Sequence, residues 1–573
     1  MEDNSLKTGK GGGKRKNNKG NSTTRTLPKR YTRNPRRALW EELKRLSLNK
    51  IPWIVGGDFN TMLHTHENQG GTISSLGSIE DFNDMVMDSG LTDAGFEGEP
   101  FTWTNKRVWR RLDRVLYSQE WADLFNSTRV SHLPRRLSDH QPLLITVTRI
   151  EDKVPSSFRF QHMWIMHHNF QDMVKQSWGA PIQGYGMYRL QQKLYRLKHH
   201  LKQWNKDTFG NIFSLVDQAK AAANEAKKQF DRLPSEANLT NLNRQNAALV
   251  HPLKLESEFW RQKSNCKWLE AGERNTKFFH ASVKKKRLKS RISRVMDNQQ
   301  EITAVHFFES LLSDTSATSL PHDFPFQFPQ IHQDVLSNLC QPPSHDDIKE
   351  VVFSINKDSV AGPDGFSSAF FQACWNTIVE DVHAAVMDFF RGTPMPRSFS
   401  ATSIILIPKN ESPQSWSEFR PISLCNVTNK ILSKLLYTKI SQALPDLISP
   451  SQSGFVPGRL IADNILLAQE MTHHLDMSHS KGNLILKLDM SKAYDRVNWK
   501  FLYMILEKMG FPTRFIVLIK NAIEHCWFTI LVNGEPSGFF KSSQGLRQGD
   551  PISPALFILA AEALSRGLNH LFS

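Results

Sequence analysis

The amino-acid pattern predicts a multidomain chain of α/β and α+β class. Three observations predict it. Strand-like and helix-like runs alternate over residues 38–150, residues 151–330 read as charged helices, and a second mixed α/β pattern fills residues 331–573. A chain of 573 residues has room for roughly three or four domains, or two with linkers. The formal net charge of +16 and pI near 9.5 favour a polyanionic partner, nucleic acid before an anionic membrane surface. No apolar run approaches the ~18 residues that a membrane span needs, and Met1-Glu-Asp-Asn4 does not begin a secretory signal. The five cysteines are scattered with no Cys-x-x-Cys pair, so neither a zinc knuckle nor a disulfide framework is readable. A reducing, intracellular setting follows, nuclear or cytoplasmic.

Residues 1–37 are Gly, Asn, Lys and Arg with almost nothing apolar. Such a segment buries too little to offset its ordering entropy, so a disordered basic tail is expected. Ala38 to Leu46 then has helical spacing, and Pro52-Trp-Ile-Val-Gly-Gly57 reads as a buried strand ending in a glycine turn. Leu143-Leu-Ile-Thr-Val147 closes this first region as another strand. In the next region, Tyr188 to Leu197 and Ala221 to Phe230 are helical and charged. Arg274 to Arg287 mixes basic and aromatic residues, which suits backbone contacts plus base stacking. Taken alone, that mixture more often marks a connecting helix with a solvated basic face. Thr318 to Pro343, rich in Pro, Phe and His, is expected as a loop.

Two constellations carry chemistry. In the first, Gly56-Gly-Asp-Phe-Asn60 sets a carboxylate and a carboxamide at a strand end. Asp58 and Asn60 point to one side of a continuing strand. Arg111-Leu-Asp-Arg-Val115 and Ser138-Asp-His140 follow. Phosphodiester hydrolysis needs an orienter for water, donors for phosphate oxygens and a hard cation on oxygen ligands. Asp113 is placed to fix the tautomer of His140, and Asp139 to help hold metal. Each fragment alone has a plainer reading: an Asp-x-Asn turn is usually a backbone cap.

In the second, the apolar run Leu484-Ile-Leu-Lys-Leu488 is expected as a strand that delivers Asp489, with Tyr494 shortly after. Nucleotidyl transfer is mainly positioning and charge neutralisation by metal ions held on rigid carboxylates. Asp489 suits one such ligand. Tyr494 is placed to lie under the sugar and exclude a 2′-hydroxyl. Gly545-Leu-Arg-Gln-Gly-Asp-Pro-Ile-Ser-Pro554 follows; its plain reading is a Gly/Pro turn.

The ordered series resembles a polyprotein of the non-LTR (LINE-type) retrotransposon family, plant-type, with an apurinic-type endonuclease followed by a reverse transcriptase. Gly56 to Asn60, Phe101-Thr-Trp-Thr-Asn105, Asp113 and Asp139-His140 carry the first half of the likeness. Ile404 to Lys409, Phe419 to Leu424, Ala361-Gly-Pro-Asp-Gly365, Ser453 to Arg459 and the two stretches around Asp489 and Gln548 carry the second, and Trp268 to His280 resembles the family's connecting segment. The resemblance implies a fold: the C-terminal part of an endonuclease/exonuclease/phosphatase-type β-sandwich over 38–150, a helical basic linker over 151–330, and fingers with a partial right-hand palm over 331–573. It implies roles as well. Asp58 and Asn60 sit at the attacked phosphate, with Phe101 to Asn105 near the DNA backbone; Asp113 and His140 form a dyad, and Asp139 and Asp489 bind metal. Lys409 and Arg420 meet the incoming triphosphate, and Gln548 and Gly549 support the template and nascent pair. Mg2+ is the implied cofactor, with Mn2+ a substitute; RNA template, DNA target and deoxynucleoside triphosphates are the implied partners, with no membrane.

Two departures from the family pattern set an expectation about activity. The family's first endonuclease strands and its Tyr-x-Asp-Asp palm sequence are not found between Met1 and Ser573. Both modules therefore read as truncated, and negligible polymerase activity is expected of this chain alone. The alternative is a non-catalytic basic nucleic-acid-binding remnant.

Overall fold

The computed structural model describes residues 33–49, 51–72, 76–149, 157–208, 210–265, 292, 303–314, 323–410, 413, 415–473, 485 and 487–572. Its contacts divide the chain into two compact units, residues 1–149 and 150–573. Both are mixtures of helix and strand, and among the described residues no helix is long and apolar enough to cross a membrane.

In the first unit, helix Arg33–Ser47 buries Trp40 and Leu43 among Phe59, Phe82, Met85 and Leu116. This helix begins inside the segment expected as a disordered tail. Two of its arginines have partners: Arg37 makes a two-pronged contact with Asp81 at 3.2 Å, and Arg36 donates to the carbonyl of Asn60. Residues 1–32 lie outside the described residues. The strands are β1 (Ile54–Asp58), β2 (Asn68–Gln69), β3 (Thr92–Asp93), β4 (Trp103–Thr104), β5 (Trp109–Arg110), β6 (Asp113–Tyr117), β7 (Phe125–His132) and β8 (Leu143–Arg149). They form sheets in the orders β1-β6-β3, β2-β5-β4 and β7-β8. All five positions of β6 are buried. Arg114 points inward, wholly buried, and is held by Glu67 and Asp93 at 2.8 Å each. Arg111 bonds the same two carboxylates and lies over the Phe96 ring at 4.6 Å. A charge taken out of water persists only with such partners.

In the second unit, strands β9 (Ala401–Pro408), β10 (Phe419–Cys425), β11 (Trp527–Val532) and β12 (Glu535–Lys541) form one sheet in the order β10-β9-β11-β12. An Asn533-Gly534 turn with φ of 54° and 91° joins β11 to β12, the residue pair that a tight hairpin favours. Alternate residues Ile404, Leu406, Phe528, Ile530 and Phe540 face a small core with Phe308 of helix Ala304–Leu311. A much larger apolar core is built from helices.

That larger core changes the reading of residues 151–330. The expected helices are present, as Gly186–Thr208 and Ile212–Arg232. They are not a separate linker: Met187, Leu190, Leu194, Leu197 and Leu201 share one core with Ile378, Val382 and Phe389 of helix Trp375–Phe390. These apolar residues recur every three or four positions and need cover, which the later helix supplies. Arg189 and Lys193 pair with Asp381 at 2.8 Å, and Trp178 Nε1 donates to the same carboxylate. Gly186 sits at φ +56°, where a Cβ would lie 2.3 Å from an Asp388 oxygen.

Other expectations are corrected or fall outside view. Part of the segment expected as a loop, Gln333–Leu339, is helix. Ile485, Lys487 and Leu488 are not in a strand. Among the described residues no strand pairs with them, and Ile485 and Leu488 are 60% and 63% exposed. The stretches Arg274 to Arg287 and Trp268 to His280 lie outside the described residues.

The Ala361-to-Gly365 turn fastens two distant segments. Phe160 N donates to Gly365 O at 2.8 Å, and Asp364 N donates to Asn426 Oδ1 at 3.1 Å. Burial pushes the Asp364 carboxyl up to about 6, against the opposing Phe366 N–H and Lys198. A folded-state value above the unfolded one favours the fold while the group is protonated. That contribution is present below the unfolded pKa near 4 and is lost as pH rises through about 6. Asp364→Asn should therefore gain stability relative to the parent between about pH 4 and pH 7, measured as the difference in urea midpoint. A difference independent of pH would contradict the assignment.

Candidate functional sites

In the first unit the register of β1 against β6 sets Asp58 opposite Asp113. The strands come close because Gly56 has no side chain: a Cβ there would lie 3.1 Å from Val115 Cγ2. Past Asp58 the chain turns at Asn60, whose φ is +51°. Asp58 caps this turn, accepting from Asn60 N and Nδ2 at 2.8 Å each. The plain role of an Asp-x-Asn turn is thus present; the strand expected to continue through Asn60 ends at Asp58, and the hydrogen bond rather than strand alternation brings the two side chains together.

His140 comes from the other end of the unit. Its Nδ1 lies 2.7 Å from Asp113 Oδ2. Residues 102–104 hold both partners in place. Thr102, wholly buried, accepts from the amides of Leu112 and Asp113 at 3.0 Å, and its carbonyl accepts from Gln141 N at 2.7 Å. Thr104 N donates to Asp139 O at 3.1 Å, and Trp103 Nε1 donates to Asp139 Oδ2 at 2.9 Å. Thr102 and Trp103 scaffold the Asp113–His140 pair, a role for which the sequence carried no signal.

Asp58, Asp113 and His140 are the only group of three or more metal-capable side chains among the described residues, with ligand atoms within 4.8 Å of one another. Asp139 is exposed at its rim and not among them. Desolvation first, then the Asp113 carboxylate, holds Asp58 above the usual carboxylate range, while Asn60 and His140 oppose. The Trp103 N–H holds Asp139 below that range.

The second unit brings another set together. Tyr494, half-buried, opens a single helical turn, Tyr494–Arg496, and stacks on Phe557 with centroids 4.8 Å apart and planes at 13°. The Gly545–Gly549 loop closes on this turn: Leu546 N donates to Tyr494 O at 2.7 Å and Gly545 N to Val497 O at 2.8 Å. Gln548 O accepts from Ser423 N of β10 at 2.8 Å, and Gln548 Nε2 donates to Asp495 at 3.1 Å. Gly549 has φ +105° beside the Ser423 carbonyl. Behind the loop Arg547 pairs with Asp550, both buried, and Asp550 also accepts from Ser433.

Lys409 and Arg420 flank the β9–β10 hairpin. Lys409 N donates to Glu418 O at 2.8 Å, its Nζ reaches Ser417 O at 2.9 Å, and Arg420 lies opposite Ile407, exposed. Asp489 is exposed on irregular chain and joins no group of metal-capable side chains among the described residues. Asp495, by contrast, is buried and pushed up to about 6 by desolvation, with Gln548, Lys492, Lys409 and Arg496 opposing. The Asp495–Gln548 link and the Arg547–Asp550 pair went unread in the sequence.

With this geometry in hand, the comparisons with known proteins fall into place. A model of the Endonuclease/Exonuclease/phosphatase family matches residues 6–140, starting within the basic segment. A model of Reverse transcriptase (RNA-dependent DNA polymerase) matches residues 407–572. The chain is 23% identical over 541 residues to the Transposon TX1 uncharacterized 149 kDa protein of Xenopus laevis, covering 89% of this chain and 40% of that one. It is 31% identical over 174 residues to the retrovirus-related Pol polyprotein from type-2 retrotransposable element R2DM of Drosophila melanogaster, covering 30% and 16%. It is 28% identical over 236 residues to the corresponding polyprotein from a type-1 retrotransposable element R2 of Nasonia vitripennis, covering 41% and 22%. The chain thus spans less than half the length of each of these relatives. It carries an endonuclease/exonuclease/phosphatase segment followed by a reverse transcriptase segment, and the relatives it matches are named as transposon and retrotransposable-element proteins.

Proposed function

We propose that this protein nicks DNA with its first unit and extends the nick on an RNA template with its second, the chemistry of target-primed reverse transcription. The observation that carries the nuclease half is the Asp113–His140 hydrogen bond of 2.7 Å, set against Asp58. Asp113 orients the His140 ring through Nδ1, which leaves Nε2 as the ring atom that faces the reacting phosphate. Asn60, oriented by Asp58, supplies a donor at the attacked phosphate.

A divalent ion fits this site. Asp58 and Asp113 offer hard oxygen donors close together, and burial first, with the Asp113 charge after it, raises Asp58; a cation relieves both. Mg2+, with Mn2+ as substitute, is the proposed ion, and Asp139 is proposed as a further oxygen donor at the rim. Such an ion would neutralise charge developing on the phosphate.

In the second unit, Tyr494 is proposed to lie under the deoxyribose, Lys409 and Arg420 to meet the triphosphate, and Gln548 and Gly549 to bear on the nascent pair. Arg420 recognises phosphate by its planar fork and Lys409 as a point charge. Asp489 is the proposed metal carboxylate. One observation favours a second reading, nucleic-acid binding without polymerisation: Asp489 is exposed and joins no group of metal-capable side chains among the described residues. A lone carboxylate binds Mg2+ weakly, because the ion keeps its hydration shell.

Two experiments follow. On supercoiled plasmid with Mg2+, the purified chain should give open circles, and His140→Ala should slow nicking by about 10²- to 10⁴-fold. Nicking unaltered in His140→Ala would refute the dyad. On a primed RNA template, Asp489→Ala should abolish any extension and leave nucleic-acid binding intact. That binding should weaken steeply with salt, because phosphate contacts release counterions. Salt-sensitive binding by a parent chain that extends no primer would select the second reading.

A further inference from the structure

One buried carboxyl in the second unit has no role in the chemistry above, although it touches a residue that does. Asp495 directly follows Tyr494, is 4% exposed, and directs its carboxyl at Gln548 rather than at solvent. The contact to Asp495 is the one hydrogen bond that the Gln548 carboxamide makes among the described residues.

The surroundings give this contact leverage. The turn and the loop are zipped by two backbone hydrogen bonds, and Trp499 Nε1 donates to Gly545 O at 2.8 Å. A side chain cannot be inserted between them: a Cβ on Gly545 would lie 2.6 Å from the Asp495 carbonyl, and that glycine has φ +84°. On its far side the loop is tied to β10 through Ser423. The backbone is therefore fixed on both flanks, and the Gln548 side chain is oriented by Asp495. Lys492, just before this turn, has its Nζ 4.3 Å over the Phe307 ring.

We propose that Asp495 is a positioning residue for nucleotide addition: by accepting from the Gln548 carboxamide it sets that side chain against the incoming nucleotide and its template base. This rests on the reverse transcriptase reading of the second unit. Asp495 touches no reacting atom. It limits the rotamers of Gln548, so its loss weakens nucleotide binding more than the chemical step.

The test is steady-state extension by the full chain on a primed RNA template with Mg2+, comparing parent, Asp495→Ala, Asp495→Asn, Gln548→Ala and the Asp495→Ala/Gln548→Ala double variant. A buried hydrogen bond to a carboxyl group corresponds to about a tenfold effect. Asp495→Ala should raise KM for deoxynucleotide by about 10-fold with kcat within about 3-fold, and Asp495→Asn, which keeps an acceptor oxygen, should restore it. The double variant should be no worse than Gln548→Ala alone. A fall in kcat at constant KM, no rescue by Asn, or additive losses would overturn the proposal in favour of a purely structural Asp495. Where the parent extends no primer, as expected of this chain alone, equilibrium binding of deoxynucleotide to the same proteins on the primed template reads the effect instead. Binding about tenfold weaker in Asp495→Ala and restored in Asp495→Asn supports the proposal, and binding unchanged in Asp495→Ala overturns it; a parent that binds no primed template fails the reverse transcriptase reading itself.

Discussion

Carboxylates removed from water, and the partners they require, hold both units of this protein in shape. Glu67 and Asp93 are buried against Arg111 and Arg114, and that cluster fixes β6 from below while Asp113 heads the same strand. Asp381 fastens the helix Gly186–Thr208 to Trp375–Phe390 through Arg189, Lys193 and Trp178. Asp550 pins the Gly545–Gly549 loop through Arg547 and Ser433. Uncompensated burial of one such group costs several kcal/mol, so each carboxylate admits few arrangements of its neighbours. The geometry of both sites is inherited from these fixed points.

The two sites differ in how far they are assembled. In the first, residues from β1, from β6 and from the segment before β8 meet, because Gly56 permits close strands and Thr102 ties the two later segments together. In the second, Tyr494 packs on Phe557 and Gln548 on Asp495. Asp489 lies on exposed chain flanked by exposed Leu488 and Met490. The residues proposed to position a nucleotide are thus packed, whereas the carboxylate proposed for its metal is not, which is why binding and extension call for separate assays.

Much of this was legible in residue patterns, and the remainder was not, for physical reasons. Local signals carried the helix over Gly186–Thr208 and the loop ending at Ser553, because apolar periodicity and glycine placement are written in adjacent residues. They also carried the existence of β1, although Gly56 and Gly57, expected as a turn after a buried strand, lie exposed inside the strand opposite β6. The order Asp58, Asp113, His140 pointed to one site, and their ligand atoms lie together. Contacts across long separations left no local trace. The charged appearance of residues 151–330 masked an apolar stripe that is buried against a helix nearly two hundred residues later. Arg36 and Arg37 looked like part of a solvated tail because Asn60 and Asp81 are distant in sequence. The run Leu484 to Leu488 has the composition of a strand, yet its described residues Ile485, Lys487 and Leu488 are not in one.

The central proposal is that Asp58 and Asp113, with Asp139 at the rim, hold a divalent ion beside His140. Mn2+ titration of the purified full chain, followed by electron paramagnetic resonance, tests it most directly. The account predicts a bound Mn2+ that Mg2+ displaces, that is lost in Asp58→Asn, and that is kept in Asp489→Asn. Bound Mn2+ unaffected by Asp58→Asn, or no bound Mn2+ in the parent chain, would contradict it.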